Sequence, residues 1–210
     1  MKTVFTLLFS VFLISGFSQG NRYEQAMIQA IGKMKNAGSN SEFIEAANIF
    51  ERIGQTEKNE WLPFYHAAFC YISIGHLEQD LAKKDPWFDK AQQFLDRAFA
   101  IAPRESELFA LQAFVYPGRM VVDPMGRGME YMGKMNAAID KAIQIDPGNP
   151  RPYYLRAITL VNMPEAFGGG PATAKPIFEL AKQKFDQFKP KSPIWPDWGK
   201  EMNEEELKKL

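Results

Sequence analysis

The stretch Phe64-Tyr65-His66-Ala67-Ala68-Phe69-Cys70-Tyr71-Ile72-Ser73-Ile74-Gly75 decides how the chain is read. Phe64, Ala67, Ala68 and Tyr71 recur at the three- and four-residue spacing of one helical face, and Gly75 follows as a C-cap. A second helical pattern, Ala91, Leu95 and Ala98, ends at Pro103. The pair then recurs. Phe109, Ala113 and Tyr116 are followed by Ile139 and Ala142, with Pro147 as the stop. Tyr153, Ala157 and Leu160 are followed by Ala174, Phe178 and Ala181. A weaker copy comes first, with Met27, Ala30 and Met34, then Ala46, Phe50 and Ile53. Small residues at fixed positions let two helices approach, and large ones fill the gap to the next pair. The pattern predicts an all-α chain built of helix pairs.

These units resemble the tetratricopeptide repeat, in which a large residue, small residues and an aromatic in helix A are followed by alanine, an aromatic and a terminal proline in helix B. The resemblance covers residues 22–186. It implies a right-handed solenoid of about four helix–turn–helix repeats with a C-terminal capping segment. The spacing departs from the family's short turn: Tyr71 and Ala91 stand twenty positions apart, Tyr116 and Met135 nineteen, Leu160 and Ala174 fourteen. The segments His76–Asp85, Pro117–Gly133 and Asn162–Pro171 are therefore expected as intra-repeat insertions, loops or extended helix ends rich in Pro and Gly. Trp61-Leu62-Pro63-Phe64-Tyr65, Phe167-Gly168-Gly169 and Pro196-Asp197-Trp198-Gly199 are similar to motifs of exported repeat proteins typical of the Bacteroidetes. That likeness implies architecture more than activity.

The first residues read differently. Lys2 is the only charge before Arg22, Val4 to Ile14 is almost wholly apolar, and Gly16 and Ser18 follow. This is the layout of a secretory signal, with cleavage expected after Ser18. The run is too short to span a bilayer as a helix. The expected division is 1–18 signal, 19–190 repeat domain, and 191–210 tail and capping helix. The mature chain is expected in the periplasm or outside the cell, with no membrane insertion and, lacking a cysteine after the apolar run, no lipid anchor.

Of the 210 residues, 25 are Lys or Arg and 25 are Asp or Glu, a balance that speaks against nucleic acid as partner. Cys70 is the lone cysteine, so no internal disulfide forms. His66 and His76 are the only histidines and lack a zinc-ligand spacing. No nucleophile elbow is present, and Gly168-Gly169-Gly170-Pro171 lacks the Lys-Ser/Thr of a phosphate loop. The chain therefore reads as no enzyme and as needing no cofactor or metal.

Helix A of each unit is expected to line the concave face. Its inward positions are Tyr65, Phe69 and Ile72, then Phe114, then Tyr154 and Ile158, with Arg151 at the rim. These seven are the expected contacts for a protein or peptide partner. The alternative is a small-ligand binder associated with uptake, its pocket beneath the inserted loops near Tyr116, Tyr154 and Phe167. Ser192-Pro193-Ile194-Trp195-Pro196-Asp197-Trp198-Gly199 competes for the same face. It is too apolar to float freely, and its prolines favour an extended path that folds back over the last repeat.

Overall fold

The computed structural model describes the backbone of residues 7–210 and side chains from Arg22 onward. The expected export signal, residues 1–18, falls outside the residues whose side chains are described. The helices are α1 (Leu7–Lys35), α2 (Asn40–Thr56), α3 (Leu62–Leu77), α4 (Leu81–Ile101), α5 (Ser106–Met120), α6 (Pro124–Ile145), α7 (Arg151–Val161), α8 (Pro171–Gln187) and α9 (Lys200–Lys209). A 3-10 turn covers Glu165–Phe167. The described residues contain no strand, and none of their helices is long and apolar enough to cross a membrane.

Local chemistry sets the helix starts. The Ser39 hydroxyl accepts from the Glu42 N–H at 3.4 Å, while the Glu42 carboxylate accepts from the Gly38 N–H at 2.8 Å, a reciprocal cap. Pro63, Pro152 and Pro171 stand in the first turns of α3, α7 and α8, where the missing N–H costs nothing. Two of the three expected insertions take the second of the two expected forms, extended helix ends. Asp80 accepts from Ala82 N at 3.1 Å and starts α4 early; Asp123 accepts from Gly126 N at 2.9 Å and starts α6 early. The extra residues thus lengthen α4 and α6 to 21 and 22 residues. Only Asn162–Pro171 keeps a loop. There Gly168 and Gly170 adopt φ of +83° and +93°, and a Cβ on Gly169 would sit 2.2 Å from the Met163 carbonyl.

Each helix packs on the helices before and after it, and short connections make neighbours antiparallel. The odd helices also touch in series, α1 on α3, α3 on α5 and α5 on α7, so they stand side by side on one face. Small residues permit this closeness: Ala67, Ala68, Ala91, Ala98, Ala113, Ala142, Ala157, Ala174 and Ala181 are fully buried. Phe88 fills the space left by two glycines, since a Cβ would fall 2.7 Å from its ring at Gly75 and 1.9 Å at Gly118.

Candidate functional site

The face formed by α3, α5 and α7 is occupied by the chain's own C-terminal segment. Pro190, Pro193 and Pro196 deny residues 188–199 a helix, and the chain crosses this face before α9 begins. The Trp198 indole stacks on Phe114 (centroids 5.2 Å apart, 16° between planes) and lies 5.8 Å from Phe69. Its Nε1–H donates to the Tyr65 hydroxyl at 2.6 Å. Trp195 meets Trp61 edge to face at 5.3 Å. Ile194 is buried, and its carbonyl lies 2.9 Å from His66 Nε2. A carbonyl only accepts, so His66 must donate from Nε2. Beyond the segment, Asn203 of α9 donates to the Phe178 carbonyl at 3.1 Å and ties α9 to α8.

Beneath the segment lies a buried ion pair. The Arg151 guanidinium meets the Glu107 carboxylate at 2.7 Å, and the two side chains are 1% and 2% exposed. Arg151 also donates to the Pro196 carbonyl, and its guanidinium lies over the rings of Phe188 and Trp198. Burial pushes the Glu107 carboxyl up to about 7, against the pull of Arg151. Burial likewise pushes His66 down to about 4, so it is neutral at physiological pH.

Of the seven residues expected on the binding face, Tyr65, Phe69, Phe114 and Arg151 converge, and what they surround is the chain's own tail. Tyr65 and Arg151 are buried there, while Phe69 and Phe114 are half-buried. Ile72 is fully buried in the core. Tyr154 packs on Phe178 at 6.3 Å, and Ile158 is half-buried on the same cluster. The tail therefore spans α3, α5 and α7 instead of covering the last unit alone. Sequence reasoning missed Glu107 and His66. A signal for Glu107 existed: it precedes Phe109 by two positions, as Arg151 precedes Tyr153, so opposite charges occupy equivalent places in successive units.

Beside Trp198 the tail leaves a cleft of 550 Å³ between the ends of α1 and α2, α3, and the start of α9. Phe43, Phe69 and Trp198 give it aromatic walls, with the thioethers of Met34 and Met202. Lys35, Asp197, Lys200 and Glu201 form its charged rim. Ligand sites of small molecules span about 300–1,000 Å³ and are mostly apolar with a few placed polar groups, which this cleft matches. Tyr116 lines a shallow surface formed by α4, α5 and α6, which Tyr154 and Phe167 do not line. Among the described residues, no group of three or more His, Cys, Asp or Glu stands close enough to hold a metal ion.

Fold and site together define an all-α, helical-repeat-like protein with a ligand-sized open cleft walled on one side by its own C-terminal segment. No protein-family model matches the chain, and no curated protein matches it significantly. Among solved structures, the chain is similar to the HusA haemophore from Porphyromonas gingivalis, with a TM-score of 0.80 and 25% sequence identity. The likeness covers 90% of this chain and 92% of that one. By its description that neighbour is a haemophore.

Proposed function

We propose that this chain is an exported, non-catalytic binding protein whose cargo is haem or a related flat, mostly apolar ring. The observation that carries the reading is the end-to-end likeness of fold to a haemophore. The cleft supports it: aromatic walls suit a ring face, and thioethers such as Met34 and Met202 are of a kind that ligates haem iron. His66 also lines the cleft, but its Nε2 is engaged by the Ile194 carbonyl. In this reading residues 1–18 direct export. The helix pairs α1/α2, α3/α4, α5/α6 and α7/α8 are four tetratricopeptide-like units, with 191–210 as their cap. Titration of residues 19–210 with haemin should give a saturable shift of the porphyrin absorption band and quench tryptophan emission. A chain that changes neither haemin nor metal-free protoporphyrin absorption in a saturable way refutes it.

A second reading, a protein or peptide partner on the concave face, is favoured by one observation. The segment Ile194–Trp198 lies there as non-helical, turn-containing backbone with Trp198 seated on Phe114 and Tyr65, so the face accommodates a tryptophan-bearing peptide. On this reading a peptide of residues 192–199, added in excess, displaces the tail and shifts Trp198 emission; unchanged emission sinks it.

A further inference from the structure

Apolar walls hold a ring but do not select one that carries acids; that selection falls to the rim. Two cations stand there, Lys35 in the last turn of α1 and Lys200 at the start of α9. Each is paired with a carboxylate of the chain itself. Lys35 meets Asp197, and Lys200 meets Asp186 at 2.8 Å. Both pairs are roughly half-exposed, with side-chain exposures of 51% and 49%, and 47% and 43%. Asp197 belongs to the segment that walls the cleft. Glu201 shares the rim, is exposed, and makes no ion pair among the described residues.

Resting on the cargo reading above, we infer that Lys35 and Lys200 receive the two carboxylates of a dicarboxylic ring, and that Asp197 is an internal stand-in for one of them. A cargo carboxylate at Lys35 replaces Asp197 and does not meet a bare cation. The exchange trades one half-exposed ion pair for another, so it costs little. The cargo class is thereby narrowed to planar rings with two acidic arms. The signs of four substitutions follow. Removal of a cation weakens binding of the diacid. Removal of the internal competitor, Asp197→Asn, or of the opposing charge, Glu201→Gln, tightens it.

The test uses the full exported chain and two probes, haemin, a diacid, and protoporphyrin dimethyl ester, which lacks the acids. Lys35→Ala and Lys200→Ala should each weaken haemin binding about 3–5-fold, the scale of an exposed ion pair. Asp197→Asn and Glu201→Gln should tighten it by a similar factor, and ester binding should stay within about 2-fold throughout. High salt should shrink every haemin effect. Lys35, Asp197 and Lys200 are about half-exposed and Glu201 is exposed, and thermal melts check that each variant folds. Haemin that binds the doubly substituted Lys35→Ala/Lys200→Ala chain as tightly as the parent overturns the inference and leaves the cargo reading standing. So do equal losses for the ester, or an Asp197→Asn variant that binds haemin more weakly. A parent chain that binds neither ring overturns both.

Discussion

Replacing Arg151 by Met should unlatch the C-terminal segment and expose the cost of a buried carboxylate. Arg151 and Glu107 are both at least 98% buried, with one contact of 2.7 Å between them. Among the described residues Arg151 Nε and Glu107 Oε2 have no hydrogen-bond partner, so the pair is incompletely satisfied even when intact. Removing one member of a buried pair costs about 3–5 kcal/mol, because the other charge stays behind in a poor solvent. For a chain of this size that lowers Tm by roughly 6–20 °C. The loss should depend on pH. Without Arg151, the largest pull opposing burial is gone, and the Glu107 carboxyl is held above the value near 7 of the parent. A carboxyl whose folded pKa exceeds its unfolded value of ~4.3 destabilises the fold as pH rises between the two. The Arg151→Met penalty should therefore be large at pH 8 and small at pH 4.5, close to the unfolded value, where the folded carboxyl is already protonated with or without Arg151. Replacing both residues, Arg151→Met with Glu107→Leu, should recover most of the stability but not the hydrogen bond to the Pro196 carbonyl. Circular dichroism melts at the two pH values test this, with tryptophan emission reporting the tail. A Tm drop under about 3 °C at pH 8 refutes the reasoning, as does a loss independent of pH or a double variant no better than the single.

His66 predicts the opposite pH dependence. Its pKa falls from 6.5 to about 4 in the fold, so its stabilisation is complete above ~6.5 and is lost as pH falls toward 4, at about 1.4 kcal/mol per unit. His66→Gln keeps a donor for the Ile194 carbonyl and should flatten this dependence in urea unfolding between pH 7 and 4.5; parallel curves for parent and variant count against it. Gly118→Ala should destabilise by about 1–3 kcal/mol, since the new Cβ would lie 1.9 Å from Phe88. The pair Gly118→Ala with Phe88→Leu should regain part of that in melts, and a neutral Gly118→Ala contradicts the packing account. Cys70 is fully buried, and burial pushes its thiol well above the ordinary range. It should resist a thiol-specific reagent in the folded chain and react at once in denaturant, and fast labelling without denaturant refutes this.

The helix pairs were legible because their causes are local. Ala67, Ala113 and Ala157 recur at fixed places, and Pro103 and Pro147 follow the last turns of α4 and α6. Which insertions would be loop and which helix was not legible, because composition and capping disagreed. Pro117, Pro124, Gly126 and Gly128 look like a loop, yet a single carboxylate, Asp123, caps a helix that absorbs the last three. The face was legible as a face, since helix geometry alone directs Tyr65, Phe69 and Phe114 to one side. Its occupant was not. Whether Trp198 lies on Phe114 or on the last unit depends on contacts across 84 positions of sequence, which no periodicity encodes. The cleft was less legible still, because its walls come from α1, α2, α3 and α9, and its rim cations carry no motif.

A buried ion pair is weak evidence for stability, since an apolar replacement often does as well. Its value here is positional. Arg151 holds the Pro196 carbonyl one residue before Asp197 and two before Trp198, so one guanidinium fixes where the rim acid and the cleft wall stand. A tail held only by ring stacking could slide along Phe69 and Phe114, because aromatic contacts tolerate lateral offset. The bonds from Arg151 to Pro196, from His66 to Ile194 and from Trp198 to Tyr65 each accept one register only. Three such bonds within five residues set the segment as a wall of fixed position, which a cleft needs if it is to distinguish one flat ring from another.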